Sequence, residues 1–210
     1  MKRYLGLSAT AALLMCGTAQ AQTTVKIGVL SDMSSLYADI GGPGSIAAAK
    51  LAIADFTANN KDVKVELVSG DHLNKPDVGS QIANQWFDAD KVDVIVDVPN
   101  SGVALAVSGI AAAKNKIFIV SGAASSDLSG AKCNANTVHW TYDTWMLANG
   151  TGKAIVKTGG DTWFFLTADY AFGHALERDT SAVVEKNGGK VVGKVRHPCL
   201  LYTSPSPRDS

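Results

Sequence analysis

The sequence predicts an α/β fold of two parallel-sheet lobes, the second incomplete. Three observations carry that reading. Short β-branched runs alternate with Ala-rich segments of helical period. The alternation restarts after the loop "AASSDLSGAKCNAN" (123–136). It then breaks off after two further strands.

The elements follow in order from the N-terminus. Lys2 and Arg3, the apolar stretch "YLGLSATAALLM" and the A-x-A site Ala19-Gln20-Ala21 read as a signal peptide, 1–21, cleaved after Ala21. The apolar stretch is too short to span a membrane, so the protein is expected in the periplasm with Gln22 exposed. Cys16 raises a lipoprotein alternative, which Met15 disfavours because acylation sites follow small residues. "TVKIGVL" (24–30) is a first strand, and "GSIAAAKLAIADFTANN" (44–60) is a helix with Ile46, Leu51, Ala52 and Phe56 at helical spacing. "VKVELVSG" alternates as a strand, and "KPDVGSQIANQWFDAD" is a helix with Pro76 in its first turn. "VDVIVDV" is a strand, "SGVALAVSGIAAAKN" a helix and "KIFIVSG" a strand. These make a first lobe over 22–141, with the crossing near Tyr142. Beyond it "TWMLANGTGKAIVKTG" is helical and "DTWFFLTAD" a strand. "YAFGHALERDTSAVVEKNGG" is a helix stopped by Gly188-Gly189, and "KVVGKV" is a strand. These make a partial second lobe over 142–198. Trp86, Phe56 and Phe164 are expected in the core.

Composition narrows the function classes. Of 210 residues 46% are hydrophobic and the formal net charge is +0, a core-forming balance without the basic excess that nucleic acid requires. Three cysteines are present. Cys16 leaves with the signal and Cys199 lies in the C-terminal tail, so Cys133 is either a free buried thiol or half of a pair whose partner lies elsewhere.

In an open parallel sheet, ligands sit beyond the carboxyl ends of the strands. The segments there are "SDMSSLYADIGGPGS", "GDHLNKPD", "PNSG", "GAASS", "TYDTW" and "ADYAFG". They supply hydroxyls, amides and rings, a set for holding a small polar head and stacking on an apolar body. Gly41-Gly42-Pro43-Gly44 lies too far from its strand and is wrongly spaced for a dinucleotide fingerprint, and no Walker A pattern occurs. No cofactor is expected. His174 and Glu177 sit three apart on one helix face, legal for a metal but read as an ion pair on the helix surface. Ser101 opens a helix, so it reads as an N-cap, an anion-binding hydroxyl, or both. Tyr37, Trp145, Tyr170 and Phe172 fall at the cleft end, where they either pack between lobes or contact a ligand.

"VKIGVLSDMSSLYADIGGPGSIAAAKLAIADF", "VDVIVDVPNSGVALAV", "NKIFIVSGAASSDLS" and "WFFLTADYAFGHA" together resemble the branched-chain amino-acid type of ABC-transporter substrate-binding protein, in order and spacing from 24 to 196. The resemblance implies a type I periplasmic-binding-protein-like fold whose lobes close on a small solute by hinge motion. It implies delivery of an amino acid or aromatic acid to an ABC permease in the inner membrane, by a monomer and without a reaction. It places Ser101 and Ser125 on the solute carboxylate and Ala123 at a backbone contact. It makes Phe172 the aromatic that closes from the second lobe, and puts Tyr37 in a contact segment. Two positions depart from the family: Ser34-Ser35-Leu36 stands for its "S-G-P", and Gly122 stands where Pro is common. "HWTYDTW", with Trp140, Tyr142 and Trp145, resembles a subgroup linked to aromatic acids, and its rings would suit a planar ligand. Aliphatic amino acids, amides and urea stay open. The alternative is a ligand-sensing receptor or regulator domain on the same fold. A secreted enzyme is a third reading, weakened by the lack of a base, metal or cofactor signature.

The tail "CLLYTSPSPRD" (199–209) resembles, residue for residue, one reading frame of a transposase-type sequencing adapter. Residues 199–210 are therefore expected to be adapter-derived, with the native protein continuing into a second half.

Overall fold

The computed structural model describes residues 22–198. Residues 1–21, read above as a signal peptide, and the tail 199–210 lie outside the described residues.

Five strands form one parallel sheet in the order β2-β1-β3-β4-β5. They are β1 (Thr23–Ser31), β2 (Val63–Asp71), β3 (Val94–Asp97), β4 (Ile117–Val120) and β5 (Thr137–His139). β1 is internal: Ile27 pairs with Leu67 of β2 on one side and Val94 of β3 on the other. The helices α1 (Gly42–Asn59), α2 (Pro76–Asp88) and α3 (Ser101–Ala113) make the crossovers. β6 (Thr162–Ala168) and β7 (Lys190–His197) pair in parallel as a second sheet, joined by α6 (Ala171–Lys186). The chain leaves the first sheet after His139 and starts α4 (Thr144–Leu147). α4 runs through a π-helical stretch (Ala148–Gly152) into α5 (Lys153–Lys157). The segment expected as one helix is thus one rod with a widened middle turn. No described helix is long and apolar enough to cross a membrane.

The first lobe's core lies between the sheet and α2 and α3. Leu30, Ile95, Val98, Phe118 and Val120 meet Ala83, Trp86, Phe87, Val103 and Val107 there. Trp86 fits because Gly28 has no side chain: a Cβ there would sit 2.4 Å from the indole. Polar residues are built in where they are satisfied. Asn100, not Ser101, caps α3, its Oδ1 accepting from the amides of Gly102 and Val103. Both residue types can cap, and the deciding fact is backbone: Asn100 is extended while Ser101 is already helical. Gly188, at φ +89, ends α6 as expected.

Three expectations are corrected. Phe56 is 46% exposed and Phe164 62% exposed, so neither is core. Only Gly42 of α1 is buried, and an apolar cavity of 390 Å³ separates α1 from β1 and β2. Phe164 lies on the face of β6 opposite the one that carries Thr167 to α6, and no described residue covers that face. Cys133 is free but exposed rather than buried, because it sits in the long loop before β5.

Candidate functional site

Loops from five strand ends converge on one cleft of 140 Å³. Tyr37 and Ile40 come from the segment after β1, Pro99 and Ser101 from the one after β3, and Gly122 and Ala124 from the one after β4. Tyr142 follows β5, and Tyr170 and Phe172 follow β6. The lining holds no Asp, Glu, Lys or Arg. A larger cavity of 490 Å³ lies wholly within the second lobe, whereas the cleft is built from both.

Each wall is positioned by local chemistry. Asp32, fully buried at the end of β1, shapes the loop that carries Tyr37. Its carboxylate accepts from the Ser35 amide at 2.9 Å and the Tyr37 amide at 2.7 Å, and it also binds the Ser35 hydroxyl and the Asn74 side-chain amide. Burial alone would raise the Asp32 pKa; the bonds from Tyr37, Ser35 and Ser34 outweigh it and hold the carboxyl below its ordinary range. His72 is buried beside it. Burial pushes its pKa down against the attraction of Asp32, Asp71 and Asp97. Its Nδ1 accepts from the Asn74 amide at 3.0 Å, which places the ring proton on Nε2.

Ser101 is 1% exposed, and its Oγ accepts from the Ser125 amide at 3.2 Å, leaving its proton to donate. The Gly102 and Val103 amides are taken by Asn100, so α3 offers the cleft the Ser101 hydroxyl rather than those amides. Ser125 is fully buried, and its Oγ caps a 3₁₀ turn (Ser126–Leu128) by accepting from Asp127. The Ala123 carbonyl bonds His139 Nε2 at 2.8 Å, and the neighbouring Ala124 is the one that lines the cleft. Phe172 packs on Tyr170 with ring centroids 6.0 Å apart. It sits there because Gly173 lets α6 start against β6: a Cβ at 173 would lie 2.0 Å from the Ala168 carbonyl oxygen.

The structure therefore brings Tyr37, Ser101 and Phe172 into the cleft and holds Ser125 and Ala123 just behind it. Trp145 is half-exposed on α4 and lines none of these cavities. Tyr170, expected at the cleft end, and Tyr142, expected among the rings of "HWTYDTW", also line the cleft. His174 and Glu177 do not pair: His174 turns to Asp169 at 2.6 Å, and Glu177 accepts from Thr167 and Lys194. No group that could hold a metal ion occurs among the described residues. Hydroxyls and rings without charge suit a small polar head on an apolar body, held by hydrogen bonds and stacking.

The sequence pattern of the family described as Periplasmic binding protein matches residues 24–207. A periplasmic binding protein from Burkholderia mallei is 49% identical, covers 88% of this chain and 48% of its own, and superposes with a TM-score of 0.82. A branched chain amino acid ABC transporter periplasmic ligand-binding protein from Burkholderia xenovorans LB400 is 39% identical over 83% of this chain and 47% of its own, TM-score 0.70. A solute binding protein of an ABC transporter from Rhodopseudomonas palustris BisB5, solved with 3,4-dihydroxy benzoic acid, shares the fold at 24% identity and a TM-score of 0.73, over 83% of this chain and 47% of its own. No curated protein matches the chain. The chain spans about half the length of the solved relatives it matches. Its parallel-sheet lobes are those of a type I periplasmic binding protein, and the chain belongs to the Periplasmic binding protein family.

Proposed function

We propose that this chain is the N-terminal part of the solute-binding component of an ABC importer. It is exported to the periplasm with cleavage after Ala21, and it captures a small carboxylate-bearing solute, an amino acid or aromatic acid, between its lobes. The solute passes unaltered to a permease in the inner membrane, and the binder is monomeric. Residues 22–141 form the first lobe, 142–198 part of the second, and 199–210 are foreign sequence. The chain's span of about half its relatives' length supports an incomplete second lobe.

The observation that carries the reading is the convergence of both lobes on a cleft whose lining carries no charged side chain and includes the buried Ser101, beside a second inter-lobe cavity lined by Asp169. Ser101 donates to the carboxylate, and Ser125 supports it through the amide bond between them. Tyr37, Tyr142 and Phe172 cover the solute body. Ala123 contributes through the backbone it shares with Ala124, and Trp145 stands at the outer rim. The solutes named for the Burkholderia xenovorans and Rhodopseudomonas palustris relatives, a branched-chain amino acid and a dihydroxybenzoic acid, fit a hydroxyl-and-ring site of this kind.

A thermal-shift panel tests it, using the gene read through beyond the codon for Arg196 and aliphatic amino acids, aromatic acids, amides and urea. Binding raises apparent stability by mass action. A carboxylate should raise Tm in a dose-dependent way, and Ser101→Ala should need at least tenfold more solute for the same rise. No shift from any carboxylate in the panel would contradict the proposal.

A further inference from the structure

A second contact joins the lobes behind the cleft lining, centred on a buried carboxylate. The Asp179 carboxylate, in the third turn of α6, accepts from the Ser126 hydroxyl at 2.6 Å and the Thr144 hydroxyl at 2.6 Å. Thr144 Oγ1 in turn accepts from the Ser126 amide at 3.0 Å. Arg178 closes the ring: it bonds Asp179 at 3.0 Å, Asp127 at 3.0 Å and the Ser126 hydroxyl at 2.8 Å. Asp179 and Thr144 are buried. Three elements meet on one carboxylate: α6 of the second lobe, the 3₁₀ turn that follows Ser125, and the start of α4. Thr144 also donates its amide to the Ala124 carbonyl at 2.8 Å, so the covalent crossing between lobes is docked at the same place.

We propose that Asp179 is a positioning residue that makes this junction the pivot of lobe closure. The inference deepens the capture reading above and rests on it. A carboxylate taking two short hydroxyl bonds and an Arg contact inside the protein is held far more firmly than an exposed pair. Another inter-lobe contact, between the Tyr37 and Tyr170 hydroxyls, is part-buried at the cleft. Tyr170 stands nine residues before Asp179 along α6, about 13 Å of helix rise. Rotation about the Asp179 junction therefore moves Tyr170 and Phe172 most and the Ser125–Ser126 turn least. Closure swings the aromatic wall while the floor hydroxyls stay in register.

The test uses the full chain with its three cysteines replaced by Ser and spin labels at Lys61→Cys and Lys186→Cys, one on each lobe. Label-to-label distances are read together with amide exchange at Ser126, both without solute. Asp179→Ala should broaden the distance distribution and speed Ser126 exchange at least tenfold, with the central strands β1 and β3 unchanged. Asp179→Asn, which still accepts both hydroxyl bonds, should restore most of the narrow distribution. An unchanged distribution in Asp179→Ala overturns the pivot. Faster exchange along all of α6 also overturns it, because Asp179 would then serve only to hold its helix. If Asp179→Ala does not fold, Ser126→Ala combined with Thr144→Val removes the same two bonds and is judged by the same readings. Because no solute is used, the pivot can fail while capture stands, and capture can fail in the solute panel while the pivot stands.

Discussion

The hydroxyls of Tyr37 and Tyr170 meet across the mouth of the cleft, 133 residues apart in sequence and on opposite lobes. Tyr37 is set there by the Asp32 loop, and Tyr170 by the close start of α6 on β6.

Removing either hydroxyl should therefore loosen the closed state without disturbing the rings. In the read-through protein, Tyr37→Phe and Tyr170→Phe should each speed solute release about fivefold, as expected for one bond of about 1 kcal/mol. The double variant should be no worse than either single one, since both remove the same bond. Stopped-flow dissociation reads this, and additive losses would show that the hydroxyls act separately.

Asp32 and His72 predict an acid-sensitive first lobe. The Asp32 carboxyl is held below its unfolded value, so its contribution is complete above about pH 4 and is lost as the pH falls through the folded pKa. His72 is also depressed, and it must charge in the unfolded chain from about pH 6.5 downward, so stability already declines there. Thermal melts from pH 7.5 to pH 4 should show a falling Tm. His72→Gln should move the onset of that fall to lower pH. Asp32→Ala should cost about 2–3 kcal/mol at pH 7, because it orphans several buried donors.

Gly173→Ala should be poorly tolerated, since its Cβ would meet the Ala168 carbonyl oxygen at 2.0 Å and only backbone movement can relieve that. A loss of about 1–3 kcal/mol is expected, the usual cost of overpacking. Gly109→Ala, which meets nothing within 4 Å, is the control and should not destabilise. Urea denaturation of the two variants measures both.

The outer face of β6 predicts self-association. Phe164 is 62% and Leu166 71% exposed, and among the described residues β6 pairs only with β7, which leaves one edge open. The 210-residue chain should therefore run above monomer mass in light scattering at micromolar concentration, whereas the read-through protein should stay monomeric. Phe164→Lys with Leu166→Glu should reduce that mass with little change in Tm.

Much of this was legible in the sequence because the relevant signals are local. The strands are β-branched or, in β6, aromatic runs, and Ser101, Tyr37 and Phe172 each follow a strand end, where a parallel sheet places its ligands. The α3 cap was ambiguous because Asn100 and Ser101 are both capping types and only the backbone separates them. The Asp179 junction was hidden because its partners lie 35 and 53 residues away, beyond any periodicity. Phe56 and Phe164 were misplaced because an apolar residue at core spacing signals a need for cover, not what supplies it. The π turn at Ala148–Gly152 has no sequence signature that distinguishes it from an ordinary helix turn.

Calorimetric titration of the selected carboxylate tests the central claim most directly, run on the read-through protein, its Ser101→Ala variant and the 210-residue chain. A cleft floored by the Ser101 hydroxyl predicts binding to the read-through protein and a loss of tenfold or more in Ser101→Ala. It also predicts weak or no binding by the 210-residue chain, whose second lobe is partial. Equal affinity in Ser101→Ala, or full-strength binding by the 210-residue chain, would contradict it.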